Sequence, residues 1–365
     1  MMNTRNSRQA QCLGLKAGEW VEVRGKEEIL ATLDQNGRLE NLPFMPEMFQ
    51  YCGQRLRVSK RADKTCDPAH TPWSIRRMTN SVHLENVRCD GAAHDGCQAG
   101  CLIFWKEAWL KRADARLISP APVRSLNPPS LNGNLCTVES ILAATRTENA
   151  QGETVYSCQA MELRNYTSFM KWWDPRQYIR DFRSGNLGNG YTSNASRSHK
   201  VFNLVLGILQ IVQAVVIYIA WSRRGVLYPH IAGKLDKTPL ETLDLQPGEL
   251  VRVRGKEDIE ATLDRNNRNR GLLFDTEMVP YCGGIYRVLR RVTHIIDEKT
   301  GKMMNMKYPC IILEGVYCKS DYHRLCPRAI YSYWRENWLE RVDTHAIPPA
   351  GQEESGRNAC HLACK

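Results

Sequence analysis

No G-x-x-x-x-G-K-[ST] loop, no H-E-x-x-H helix and no G-x-S-x-G elbow occurs in the 365 residues. The P-loop, zincin and hydrolase readings that those spacings carry are therefore set aside. No evident general base stands beside a nucleophile. Glycine (25) and proline (17) are near average and form no repeat, which excludes collagen-like and Pro-rich low-complexity chains. Met1 to Leu15 contains Arg5 and Arg8 but lacks an apolar run of about 7–15 residues, so no secretory signal is read. The 14 cysteines are accordingly expected to be reduced thiols in a cytoplasmic chain, with membrane association as the alternative placement, and not a disulfide framework.

What is present suits a folded chain. Hydrophobic residues at 42% and charged residues at 24% exclude disorder, and the length allows two or three domains. The net charge of +11 is uneven. Residues 18–114 carry 14 basic against 14 acidic side chains, 248–343 carry 17 against 14, and 115–247 carry 14 against 9. A dedicated nucleic-acid module concentrates basic charge on one face, which a neutral unit does not suggest.

The strongest feature is a duplication. Residues 18–61 align without a gap on 248–291 with 25 identities in 44 positions. After one single-residue gap the match resumes at CLIFWKEAWLKRAD (101–114) and RAIYSYWRENWLERVD (328–343). Within each unit Val21-Glu22-Val23, Arg55 to Val58 and Val82-His83-Leu84, with their counterparts, alternate as strands do. Leu102, Trp105, Ala108, Trp109 and Arg112, like Ile330, Trp334, Asn337, Trp338 and Arg341, recur at helical spacing and predict a closing helix with its tryptophans in the core.

The expected fold is α+β, mainly β: two homologous small barrel-like domains, each closed by a C-terminal helix, with a helical linker. The boundaries are an arm at 1–17, repeat 1 at 18–114, a connecting segment at 115–200 with a strand–turn–strand element, an apolar helix at 201–222, a linker at 223–247, repeat 2 at 248–343 and a tail at 344–365. The Gly-Glu-x-Val-x-Val openings resemble the start of SH3-like barrels. With the WWDPRQY…DFRSGN segment (Trp172 to Asn186), the whole chain resembles a bacterial family of two tandem Cys/His-containing SH3-like repeats joined by that segment. The resemblance implies this architecture and supplies no catalytic residue.

The duplication also sorts the thiols. Cys52 matches Cys282, Cys89 matches Cys318, His94 matches His323 and Cys97 matches Cys326. Three cysteines and one histidine per unit form a complete tetrahedral zinc set. The units also differ. Cys66 and Cys101 face Ile296 and Ile330 in the alignment, whereas Cys310 and His294 face Ser81 and Lys64. The first unit thus offers six donors, Cys52, Cys66, Cys89, His94, Cys97 and Cys101. That surplus suggests a more reactive site, with iron as an alternative to zinc. Cys136 and Cys158 suggest a further small site, while Cys360, His361 and Cys364 read as tail residues. Asp174, Arg176 and Asp181 read as capping and surface pairing.

Val201 to Ser222 carries no charge and is flanked by Lys200 and Arg223-Arg224. A weakly polar stripe of Asn203, Gly207, Gln210 and Gln213 predicts a helix with one packed face. A single span would place two thiol-rich units on opposite sides of a membrane, so in-plane contact or packing is expected instead.

The functional expectation is a zinc-binding tandem-repeat protein that acts as a binding or scaffold module for a protein partner. A metalloenzyme with its metal in repeat 1 and a nucleic-acid binder contacting phosphates through the basic middle segment are the alternatives.

Overall fold

The computed structural model describes residues 12–70, 74–113, 136–171, 173–187, 197–224 and 230–342. It is mainly β with few helices, and its sheets are partly curled.

Each half builds on a short opening strand, Trp20–Val23 or Leu250–Val253, in which alternate valines are buried and the others face outward. This strand lies between a longer one, Arg55–Arg61 or Ile285–Ile296, and the last one, Leu110–Arg112 or Leu339–Arg341. Val21 pairs with Leu56 and Val251 with Tyr286, both partners displaced by 230 residues. Val82 pairs with Trp105 and Ile311 with Trp334, now displaced by 229. The single-residue gap in the alignment is thus absorbed between these strands, and register is otherwise retained. A slip of one residue would have turned every buried valine outward.

The closing helix does not form. Trp105–Lys106 is a strand, Glu107–Trp109 a single 3-10 turn and Leu110–Arg112 another strand. The second unit repeats this with the turn Glu336–Trp338 and the strand Leu339–Arg341. Trp105, Trp109, Trp334 and Trp338 are all fully buried, as their spacing predicted. Spacing of four also arises when a chain passes from strand through a tight turn to strand, and here both flanking strands find sheet partners. The indoles of Trp109 and Trp338 donate to Thr32 Oγ1 at 3.1 Å and Thr262 Oγ1 at 2.9 Å.

Within that turn a buried glutamate anchors the chain entering each unit. Glu107 accepts from the backbone N–H groups of Leu13, Gly14 and Leu15 at 2.7–3.0 Å and from Arg61 at 2.5 Å. Glu336 does the same for Leu243, Asp244 and Leu245, and for Arg291. Leu15 and Leu245, which sequence boundaries left in an arm and a linker, are fully buried members of the two main cores.

The two halves meet reciprocally. The Cys66 N–H donates to Cys326 Sγ at 3.0 Å, and the Ile296 N–H donates to Cys97 Sγ at 3.4 Å. These are corresponding positions exchanged between units, so the halves dock about an approximate two-fold axis. The middle segment reinforces the contact. Its helix Arg176–Arg183 presents Asp181, not at the surface but buried, to Lys64 Nζ at 2.5 Å, and Lys64 also donates to the Arg324 carbonyl. Asp174 and Arg176 form the exposed pair that was expected.

The apolar segment lies in one continuous helix, Arg197–Arg224. Gly207 and Ala214 are buried, with Leu187 and Phe182 against Gly207, while Phe202, Val205, Leu209, Val212 and Val216 are exposed. Gln210 is half-buried and Gln213 exposed; the Asn203 side chain lies outside the described residues, as do those of 218 and 220–224. Among the described residues no helix is long and apolar enough to cross a membrane. Trp172, Cys360, His361 and Cys364 also lie outside the described residues.

Candidate metal centres

Two trios of potential metal ligands occupy corresponding places: Glu47, Cys89 and His94, and Glu277, Cys318 and His323. In each trio the donor atoms lie within 4.8 Å of one another. The glutamates sit early in the 3-10 helices Pro46–Tyr51 and Thr276–Tyr281. The cysteines follow the third strand of each unit, and the histidines follow a tight turn. That turn needs a left-handed residue, supplied by Gly91 at φ 80° and Ser320 at φ 62°. A Cβ at Gly91 would stand 2.1 Å from the Cys97 carbonyl oxygen, so glycine is required there.

The second centre has near-ligand geometry. His323 Nδ1 stands 3.4 Å from Cys318 Sγ and 3.8 Å from Glu277 Oε1. Donors held at about 2.0–2.3 Å around a tetrahedral zinc are themselves about 3.3–3.8 Å apart. The other ring nitrogen, Nε2, faces Asp275 Oδ2 at 3.6 Å. A carboxylate behind a ligating imidazole fixes its orientation and raises its basicity. In the first centre the His94 Nε2 donates to the Ser157 carbonyl at 3.3 Å, which leaves Nδ1 for the trio. Glu47 is largely buried, and its Oε2 has no hydrogen-bond partner. A buried carboxylate oxygen without a donor is costly in isolation and natural beside a cation.

Burial pushes the thiols of Cys89 and Cys318 well up, and burial likewise raises Glu277. A divalent cation held by these groups would favour their deprotonated forms and so oppose both shifts.

The expected ligand sets are thus regrouped. Cys52 and Cys282 lie outside the trios, beside Glu27 and Glu257, with burial the larger reason their thiols are raised, Cys282 to about 11. Cys97 and Cys101 border the first trio and line a cavity of ≈ 40 Å³ with Glu47, Cys89 and His94. Cys158, expected in a separate site with Cys136, lines the same cavity, whereas Cys136 is buried and contacts Ser140 Oγ at 3.5 Å. Burial pushes Cys101 up to about 12. Cys66 leaves its own unit and meets Cys326 of the other. Of the alignment differences, Cys310 is buried in a small apolar cluster and His294 approaches Gly96 across the junction.

Glu47 and Glu277 were not anticipated. Their signal was present, since both fall on identical positions of the duplication, but glutamate is most often a solvated residue and a soft-donor set was already complete without it. No family model, curated protein or solved structure matches the chain.

Proposed function

We propose that this chain is a metal-binding tandem-repeat protein. Each unit, read as a small SH3-like barrel, holds one zinc ion through glutamate, cysteine and histidine. The single observation carrying this reading is the recurrence of the same trio at corresponding positions of both units. Surface acids cluster often without a metal; a Glu/Cys/His trio repeated behind matching strands is harder to ascribe to chance. Three protein donors leave one position for water or for a group supplied by a partner. The role that follows is a binding or scaffold module whose surface is set by metal-stabilised loops.

A second reading has a specific observation in its favour. The first trio opens on a cavity while its donors are shielded from bulk water, the arrangement of a catalytic metal with an exchangeable position. Under that reading repeat 2 is the structural copy.

Metal analysis of full-length protein purified without added metal tests the proposal. Two ions per chain are expected, falling to one in Cys89→Ser and one in Cys318→Ser, with a lower melting temperature in each. Metal-free protein that stays metal-free on zinc titration, or variants with unchanged metal content and stability, would refute it.

A further inference from the structure

We propose that Cys66 and Cys326 form a redox-active thiol pair that closes into a disulfide between the two units. Neither cysteine is a member of a metal trio, although the Cys326 N–H donates to the His323 carbonyl at 3.3 Å, and the argument needs no metal.

Both residues are free cysteines in the structure, brought together from positions 260 residues apart. Cys326 is buried at 1% exposure, and Cys66 is half-buried against it with Ile75 and Met170. The two cysteines pack in one small cluster at the junction, so their thiols are neighbours there. Two backbone N–H groups also point at Cys326 Sγ, from Cys66 at 3.0 Å and from Arg328 at 3.4 Å. Arg328 fixes the partner strand as well, its guanidinium donating to the Cys66 carbonyl at 3.3 Å and to Glu298 at 2.7 Å. The Cys326 sulfur is thus held in place by two backbone N–H groups, with the second cysteine packed beside it.

The approximate two-fold axis supplies a control within the same molecule. At the related contact Cys97 accepts from the backbone of Ile296, so the exchanged position carries a hydrocarbon and no bond can form. One junction is therefore a dithiol and its twin is inert.

The reaction balances with a hydroperoxide as oxidant. Attack of one sulfur on hydrogen peroxide forms an S–O bond and breaks the O–O bond, and a water molecule leaves with the thiol proton. The other sulfur then attacks the sulfenic sulfur. An S–S bond forms, the S–O bond breaks, and a second water leaves with the remaining proton. Two electrons pass from the dithiol to the peroxide. The product ties the units covalently, and thiol reductants reverse it.

Full-length protein is treated with graded hydrogen peroxide, with and without prior chelation. Free thiols are blocked, and the peptides are mapped by mass spectrometry. The expected first product is the Cys66–Cys326 cross-linked peptide, cleaved by reductant and formed in both arms. Ile296→Cys should add a second cross-link, to Cys97, under the same oxidant. Oxidation of other cysteines while Cys66 and Cys326 remain alkylatable would overturn the proposal. So would sulfinic acid at either position without a cross-link. Loss of one metal per chain in Cys66→Ser would instead make Cys66 a ligand and equally overturn it. If Cys66→Ser fails to fold, the Ile296→Cys cross-link and the wild-type map still decide the matter.

Discussion

The two candidate centres share a trio and differ in everything around it. His94 is buried and held by a carbonyl, whereas His323 is partly exposed and held by the Asp275 carboxylate. Beside Glu47 stands Met45, an apolar residue; at the matching position beside Glu277 stands Asp275. Site 1 faces a cavity lined by Cys97, Cys101 and Cys158, while site 2 gathers acids. Duplication thus preserved the donors and let the surroundings diverge. The first site opens on a cavity lined by three further thiols. The second has the carboxylate support that favours retention of a divalent cation.

The largest effect tests what the halves still share. Glu107→Ala and Glu336→Ala should each destabilise the protein by about 3–5 kcal/mol, because each removes the shared acceptor of an arginine and three backbone N–H groups inside the fold. Chemical denaturation should report equal losses. A marked inequality would show that the anchors of the two entering segments are not equivalent.

Next in size is a change that separates the centres. Asp275→Asn keeps the side-chain shape and removes the charge behind His323. Zinc affinity at the second site should fall by about 10–100-fold, with the first site unchanged. Competition against a chromophoric chelator should resolve two classes of site, with only one shifted. Equal weakening of both would erase the proposed distinction.

How much of this was legible in the sequence follows from what each element needs. The duplication and its strands were legible because identity and alternation are local signals. The buried tryptophans were legible as well, but their backbone was not, since a spacing of four does not distinguish a helix from strand, turn and strand. The pairing of Cys89 with His94 was visible in the short spacing of C-x4-H-x2-C. Glu47 was hidden, because only the fold shows that this carboxylate is buried with a bare oxygen. Cys66 was assigned to its own unit because an alignment relates positions within copies. It cannot reveal that docked copies exchange partners across an axis.

A pH experiment sharpens the comparison further. His83 is buried in unit 1, donates from Nδ1 to the Ile103 carbonyl at 2.8 Å and has no partner at Nε2; unit 2 has Ile312 in its place. Burial drives its pKa down to about 3 from an ordinary value of 6.5. The folded state therefore refuses a proton that the unfolded chain accepts below about pH 6.5. This site is pH-neutral above that point and costs stability progressively as pH falls towards 3. The slope is up to about 1.4 kcal/mol per pH unit, or about 1–2 kcal/mol at pH 5. His83→Ile should remove that component, measured as the difference between wild-type and variant stability from pH 7 to pH 4. Parallel curves would mean that His83 takes up its proton without unfolding.

The smallest expected effect concerns the turn that presents each histidine. Gly91 cannot be replaced, since any Cβ meets the Cys97 carbonyl, yet the same left-handed position in unit 2 holds a serine whose Oγ lies 3.4 Å from Cys318 Sγ. Two opposing terms follow for Ser320→Gly. Relief of a non-glycine residue at φ 62° stabilises the turn, while loss of the hydroxyl and added freedom in the unfolded chain offset it. Each term is about 1 kcal/mol or less, so melting should move little. Zinc binding at site 2 should persist, because the serine oxygen is not one of the three donors. A large loss of metal in Ser320→Gly would instead make Ser320 part of the binding shell and give the second centre a contact that glycine denies the first.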